Sequence, residues 1–256
     1  MAKLKAGVLI SGRGSNLQAL IDAAGDADFP AEIAIVISNV DGAYGLQRAR
    51  AAAVPTLTID HRDFPDRRSF EADVSAALTA ADVQLVCLAG FMRLLTDEFV
   101  RQWWDRLINI HPSLLPAFRG LDTHRRVLEA GTRFTGCTVH FVRPAMDEGP
   151  IIAQAAVPVH DDDDETTLAE RVLAAEHRIY PLAVRLLAEG RLKVEADRVR
   201  IAGASSPRAV SSIRPAGKAN VLRNRLQDGS GSRPVTDETG ARSLIQPSAS
   251  RRSLCR

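Results

Sequence analysis

The strongest constraint on this chain is a rhythm. Short apolar, β-branched runs at residues 6–10, 32–37, 55–59 and 85–89 alternate with segments of helical period at 15–24, 44–53 and 67–80. A β-branched run suits a strand, whereas apolar residues spaced three and four apart bury one stripe of a helix. Alternating the two builds βαβ units, because parallel strands need a long crossover between them. The expected fold class is therefore α/β, a Rossmann-like, mostly parallel twisted sheet flanked by helices. Strand-like runs at 106–110, 136–142 and 151–159 extend the pattern. A long helix follows, opened by an Asp-rich run and Thr166. Its apolar residues Leu168, Val172, Ala175, Ile179, Leu182, Leu186 and Leu187 lie near helical spacing, and Gly190 is its stop. Residues 191–201, alternating around Asp197, predict a terminal hairpin.

From Ala204 the chain turns rich in Ser, Arg, Gly and Pro with scattered aliphatics, and reads as disordered. The expected organisation is one domain over 1–203 and a basic tail over 204–256. The tail has ten Arg/Lys against three Asp/Glu, or +7, which leaves −5 on the rest of a chain whose net charge is +2. It offers no aromatic residue for base stacking, and no nucleic-acid partner is expected. No apolar run approaches the roughly 20 residues of a membrane helix. The start, MAKLKAGVLISGRGSN, lacks the apolar core of a signal peptide, so a cytoplasmic protein is expected. Cys87, Cys137 and Cys255 form no Cys-x-x-Cys pair, which suits a reducing compartment and argues against a cysteine zinc site.

The segment GVLISGRGSNLQAL has the layout strand, glycine turn, helix. A dinucleotide fingerprint fails, because Leu17 stands where the third glycine belongs and the second strand ends in Ser38-Asn39 instead of an acid. A Walker A loop fails for want of Gly-Lys-Ser/Thr. Two readings remain. The backbone N–H groups of Gly14, Ser15 and Asn16 at a helix N-terminus suit one phosphate group. Alternatively, the segment is a tight βα turn with Ser15 as the helix cap.

A second anomaly lies in LINIHPSLLPAFRG. The apolar run carries Asn109 and His111 two positions apart, then breaks at Pro112, Pro116 and Gly120. On a strand the two polar side chains project side by side at the mouth of a loop. Downstream, after GCTVHFV, comes MDEGP. Asp147 there either starts a turn or answers the histidine. Sites in open parallel sheets form beyond the carboxyl ends of strands, and a carboxylate beside an imidazole orients it and favours its charged form. Asn, His and Asp together suit transfer of a carbonyl group, the amide and imidazolium stabilising an oxyanion while the carboxylate supports proton movement. The plainer alternative is a structural histidine before proline.

Taken together, SGRGSNLQALI, ISNVDGAYGLQRA, LAGFMRLL, INIHPSLLPAFRGLDTHRRVLEAG, TGCTVHFV, MDEGPII and AEHRIYPLAVRLL resemble the folate-dependent phosphoribosylglycinamide formyltransferases of purine synthesis. The resemblance runs in unbroken order from about Ala6 to Ile201 and favours the phosphate and catalytic readings above. It implies transfer of a formyl group from 10-formyltetrahydrofolate, as co-substrate, to the amine of glycinamide ribonucleotide. It assigns the nucleotide phosphate to Gly14, Ser15 and Asn16, and a further contact to that substrate to Glu176. It assigns folate binding to Arg67, Met92, Arg93, Leu94 and Leu95, to Asn109, and to the loop Arg143, Pro144, Ala145, Met146 and Asp147. The implied catalytic trio is Asn109, His111 and Asp147, with no metal and no covalent intermediate. Its implied partners are these small molecules, with no membrane, in a monomer or homodimer.

Other residues fit less eventful roles. His140 lines or supports the pocket, and helix-start geometry explains His124. His61, His160 and His177 lack companions for a metal. The run Asp161 to Asp164 lacks the spacing and glycine of a calcium loop and reads as a solvated run before a helix. Trp103-Trp104 reads as a packing element beside a short helix. Departures from the family pattern are Arg13, where a small polar residue is common, Leu173, where some relatives place a glutamine, and the basic tail. Three rivals are separable. Formyltetrahydrofolate hydrolases use a similar trio but carry an additional N-terminal regulatory domain. Methionyl-tRNA formyltransferases share SLLP and the Arg119-Gly120 pair but need a folded C-terminal RNA-binding domain. A non-catalytic folate- or nucleotide-binding protein would not need the intact trio.

Overall fold

The computed structural model describes residues 2–203. The basic segment read above as disordered lies outside the described residues.

Seven strands form one sheet in the order β3-β2-β1-β4-β5-β6-β7. They are β1 (Leu4–Ile10), β2 (Ala31–Ser38), β3 (Thr56–Thr58), β4 (Leu85–Leu88), β5 (Leu107–His111), β6 (Phe134–Phe141) and β7 (Ile151–Pro158). The five strands from β3 to β5 are mutually parallel. Both faces of a parallel sheet are covered, so its strands read as continuous apolar runs. In β1, Val8 and Ile10 enter one buried cluster while Leu9 enters the other. The first cluster lies under α1 (Ser15–Ala24), α2 (Tyr44–Ala51) and α6 (Glu165–Ala188), through Leu17, Leu46, Leu168 and Val172. The second lies under α3 (Arg67–Ala80) and α4 (Asp97–Gln102), through Phe70, Leu78 and Phe99. Strand order reverses between β1 and β4, which opens a crevice at their carboxyl ends.

One expectation needs correction. With Asp147 just after a strand that neighbours β5 in a parallel sheet, both strands are expected to end on the same edge. Instead β6 runs antiparallel to β5 and to β7, with Phe141 opposite Ile108 and Thr138 opposite His111. After β5 the chain spends residues 112–122 at the carboxyl end of the strand. The only helix before β6 is α5 (Thr123–Glu129), seven residues long. The chain is never carried back to the start of β5 and re-enters the sheet from the far end.

The long helix behaves as its sequence demands, with one shift. It starts at Glu165, and Asp164 is its N-cap, accepting from the Thr167 N–H at 2.8 Å in a reciprocal capping box. Asp163 pairs with Arg171 at 2.6 Å and Asp161 pairs with Arg133, so much of the acidic run is spent on a cap and on ion pairs. The hairpin β8 (Leu192–Glu195) and β9 (Arg198–Ile201) follows as expected. Tyr180 is fully buried and donates its hydroxyl to the Leu88 carbonyl at 2.9 Å, fixing α6 to the end of β4. On the other face, buried Glu71 of α3 accepts from the Thr96 N–H at 2.9 Å and from the Thr96 hydroxyl. Thr96 in turn caps α4.

Strand β6 is pressed against β7 where it lacks a side chain. A Cβ at Gly136 would overlap the Ala155 carbonyl oxygen and lie 2.9 Å from Leu114 Cδ2. Gly136→Ala is expected to lower stability by about 1–3 kcal/mol, the usual scale of overpacking. Thermal unfolding followed by circular dichroism measures it. An unchanged Tm would mean that the two strands do not approach so closely.

Candidate active site

Strand β5 divides its side chains by face. Ile108 and Ile110 join the core under α6, so Asn109 and His111 point the other way. The antiparallel register then decides what each of them meets. Asn109 stands opposite His140 and His111 opposite Thr138. Asn109 Nδ2 lies 3.4 Å from His140 Nε2, and His140 Nδ1 lies 3.0 Å from the Phe141 carbonyl. A carbonyl only accepts, so Nδ1 carries the proton and Nε2 accepts from the Asn109 amide. Burial holds the His140 pKa below its ordinary value, in keeping with a neutral ring. His140 is thus a support that orients Asn109. Thr138, fully buried, ties down the segment beyond β5. Its hydroxyl donates to the Ser113 carbonyl at 2.7 Å and accepts from the Leu115 N–H at 3.0 Å.

His111 is 5% exposed and held between two loops. Nε2 lies 3.0 Å from the Phe118 carbonyl, and Nδ1 lies 3.5 Å from Asp147 Oδ2. Both partners are acceptors, so the doubly protonated ring satisfies both contacts. Asp147 Oδ2 also accepts from the Gly120 N–H at 2.7 Å, which joins the two loops to one another. Phe118, Gly120, Asp122 and Asp147 all have positive φ, between 53° and 81° for the first three and 51° for Asp147. Non-glycine residues in that region store strain, and here they cluster around one histidine.

Asp147 reaches His111 by a return path. The chain leaves β6 at Phe141, level with Ile108, and the carboxylate six residues on lies beside His111. It rejoins the sheet past Gly149, where a Cβ would overlap the Phe141 carbonyl oxygen.

The glycine loop is built against α2. Gly14 has φ 70° and is the N-cap of α1, with no side chain capping the first turn. The alternative with Ser15 as cap therefore does not hold, since Ser15 lies inside the helix and no side chain takes up the N–H groups of the first turn. A Cβ at Gly14 would lie 2.6 Å from Gly45 Cα, so two helix starts meet backbone to backbone. The Gly45 N–H donates to the Gly12 carbonyl at 3.0 Å, and Arg48 Nε donates to the Arg13 carbonyl at 3.0 Å. Arg13 itself is exposed. Asn16 is buried and donates through Nδ2 to Glu176 Oε2 at 2.7 Å, across 160 positions. Asn16 Oδ1 is buried without a partner. Burial pushes the Glu176 carboxyl up to about 7, against the opposing hydrogen bond from Asn16.

The positions assigned to folate fall into two groups. Met92 and Leu94 on the loop after β4, with Met146 on the loop after β6, are large exposed apolar side chains. Leu95 is half-buried against α3, and Arg93 Nε is buried without a partner. Pro144 and Ala145 are exposed, as is Arg67 in the first turn of α3. The side chain of Arg143 stacks over Trp104 and pairs with Asp105, which leaves the backbone of this position for a ligand. Trp103 is buried as expected, whereas Trp104 is half-exposed under this guanidinium.

A hydrogen-bonded chain that sequence reasoning missed runs over the strand ends. Ser11 Oγ accepts from the Met92 N–H at 2.8 Å and donates to Asn39 Oδ1 at 2.5 Å, and Asn39 Nδ2 lies 3.2 Å from His61 Nδ1. It ties the loop after β4 to the ends of β1 and β2. The available signal was a polar residue closing each of those strands. Among the described residues, no three His, Cys, Asp or Glu side chains are gathered as metal ligands.

Comparison with known proteins agrees with this geometry. The family model described as formyl transferase matches residues 4–184. The phosphoribosylglycinamide formyltransferase of Escherichia coli (strain K12) is 44% identical over 200 residues, covering 78% of this chain and 94% of the relative. The trifunctional purine biosynthetic protein adenosine-3 of Drosophila melanogaster is 53% identical over 185 residues, 72% of this chain, and the chain spans only 14% of that protein's length. The crystal structure of glycinamide ribonucleotide transformylase 1 from Symbiobacterium toebii superposes with a TM-score of 0.76 at 52% identity, covering 78% of this chain and 94% of the other. The chain belongs to the formyl transferase family.

Proposed function

We propose that this protein transfers the formyl group of 10-formyltetrahydrofolate to the amine of glycinamide ribonucleotide, a step of purine biosynthesis. The observation that carries the reading is that Asn109 and His111 share one face of β5 and that a carboxylate from a loop 36 positions on reaches the imidazole, with Asp147 Oδ2 at 3.5 Å. As the amine attacks the formyl carbon, negative charge develops on the carbonyl oxygen. One N–H of Asn109 is spent on His140, and the second is left for that oxygen. The Nε2 proton of His111 is held on the Phe118 carbonyl, and the formyl oxygen takes the carbonyl's position. Preorganised donors of this kind stabilise an oxyanion because they need no reorientation during the reaction. Asp147 balances the charge on the ring and takes the proton of the attacking amine through water; collapse of the tetrahedral adduct then breaks the bond between the formyl carbon and the folate nitrogen, which takes up that proton and leaves as tetrahydrofolate.

The ribonucleotide is held at the other end of the crevice. The uncapped first turn of α1, at Gly14, Ser15 and Asn16, receives its phosphate. Glu176, hydrogen-bonded to Asn16, makes a further contact to the ribonucleotide. The folate lies along Met92, Arg93, Leu94 and Leu95 and the backbone of residues 143–147, with Arg67 at its outer end. Cys87 and Cys137 are free and buried, and burial pushes both thiols up to about 12, in keeping with a cytoplasmic enzyme. The domain that does this work spans residues 1–203. A chain ending at Gly203 is expected to retain formyl transfer, and a truncated chain that is insoluble or inactive would overturn that boundary.

The assay incubates the protein with 10-formyltetrahydrofolate, with and without glycinamide ribonucleotide, and follows formyl loss. Loss only with the ribonucleotide is expected, and equal loss without it would make the enzyme a hydrolase. Asp147→Asn and His111→Ala should each lower kcat by a factor on the order of 10² or more, the scale of a lost proton-transfer or oxyanion contribution. The double variant should be far less than multiplicatively worse, because residues acting as a unit are not additive. Independent losses would sink the idea that Asp147 works through His111.

Glu176 gives a separate handle. Its folded pKa of about 7 lies above its ordinary value of 4.5, so the folded chain keeps this proton longer than the unfolded one. The associated stability is whole at low pH and is lost as pH rises through about 7. Glu176→Gln removes that loss, so its Tm should gain on wild type as pH increases from about 5 to about 8. Parallel Tm–pH curves would show that Glu176 is already ionised throughout that range.

A further inference from the structure

Arg143 opens the loop that carries Asp147, yet its side chain turns away from the crevice. Its guanidinium carbon lies 3.9 Å from the centroid of the Trp104 ring and 6.0 Å from that of Phe141. Nη2 donates to Asp105 Oδ1 at 2.6 Å, and Nη1 donates to the Val142 carbonyl at 3.1 Å. The side chain is 12% exposed although Trp104 is 46% exposed. A long, flexible cation on a surface loop ordinarily stays in water. Here it is clamped by a planar stack, an ion pair and a backbone bond at once, a combination that suits the rigid fork of arginine.

Both ends of the clamp matter. Asp105, in the left-handed region at φ 55°, lies two residues before β5, the strand of Asn109 and His111. Arg143 lies four residues before Asp147. At the other foot of the loop, a Cβ on Gly149 would come within 2.9 Å of Arg143 Cγ. The arginine stem therefore fills the base of the 142–149 excursion, with Trp104 beneath it. The geometry points to Arg143, held by Trp104 and Asp105, as a positioning residue that sets the Asp147 carboxylate against His111. Its side chain touches neither substrate and acts only through the loop. The inference rests on the formyl-transfer reading, since it supposes that Asp147 takes part in the reaction.

The test uses the full chain and measures kcat and KM for both substrates. Wild-type turnover with glycinamide ribonucleotide comes first, and its absence would defeat the transfer reading before the clamp is at issue. Given that turnover, Arg143→Ala should lower kcat about ten- to a hundredfold, the cost of misplacing a catalytic group by roughly an ångström. KM for the ribonucleotide should stay within about twofold, because its site lies beyond the clamp's reach. Arg143→Met keeps a stem over Trp104 without the ion pair and should fall between alanine and wild type. Asp105→Asn weakens the same ion pair from the strand side, should shift kcat in the same direction, and keeps the test open if the alanine variant folds poorly. In an Asp147→Asn background, Arg143→Ala should add less than about a twofold further loss, since the group it positions is gone. Unchanged kcat in Arg143→Ala, a loss in KM for the ribonucleotide equal to that in kcat, or a full multiplicative loss in the double variant would each overturn the assignment.

Discussion

The register between β5 and β6 is the constraint on which the site depends. Because side chains alternate along a strand, a slip of one residue would turn every side chain of β6 to the opposite face. In the observed register His140 meets Asn109, Thr138 meets His111, and the intervening Cys137 and Val139 enter the core beneath α6. A slip would bury His140 and Thr138 among aliphatic side chains and leave their polar atoms without partners, at a cost of about 1–3 kcal/mol each. Burial of one face thus specifies the chemistry of the other. Gly136 adds a geometric lock, because β7 can approach β6 so closely only where a side chain is missing.

The end of the crevice proposed for the nucleotide depends on a different device, close backbone contact. Gly14 and Gly45 bring two helix starts together, and the loop between β1 and α1 is held from outside by the Gly45 N–H and by Arg48. This leaves the inner N–H groups of α1 uncommitted. Tyr180 fixes α6 to the end of β4, and Glu176, one helical turn earlier on the same face, meets Asn16. The two ends of the crevice therefore rest on separate anchors. The link between them runs along Ser11, whose hydroxyl bonds both Asn39 and the Met92 N–H.

Much of this was legible in the sequence, for definite reasons. The βα alternation could be read because parallel strands bury both faces and become continuous apolar runs. Asn109 and His111 could be read because two polar residues in such a run demand an explanation. The direction of β6 could not, since a period of two is the same in either direction. The loop alone left two readings of α1 open because Ser15 has the chemistry of a cap one residue too late, and the donors are left uncapped by Gly14, a cap without a side chain. The fixing of the Arg143 side chain could not be read, because nothing local marks its partner, which lies 38 positions away. The polar chain over the strand ends escaped notice for the same reason: Ser11, Asn39 and His61 are ordinary singly and meaningful only when topology brings them together.

The groups proposed as catalytic differ in how firmly they are held, and the difference matches the tasks proposed for them. Asn109 and His111 sit on a strand with both neighbours paired, so their donors are directed before any substrate arrives. The acceptor now on His111 Nε2, the Phe118 carbonyl, belongs to a segment with two kinds of support. Its first half is fixed to buried Thr138 and to Gln154 through Ser113 and Leu115. Its second half is held by Arg126, which donates to the Arg119 carbonyl at 2.5 Å and to the Leu121 carbonyl at 3.2 Å, and by the Asp147 contact to Gly120. The Arg126 contacts lie near solvent, where water can replace them at little net cost. Exchange of the Phe118 carbonyl for a substrate oxygen therefore leaves His111 with the same number of acceptors, and the reorganisation falls on the half of the loop with the cheaper restraints. The donor stays rigid while its temporary partner can be released.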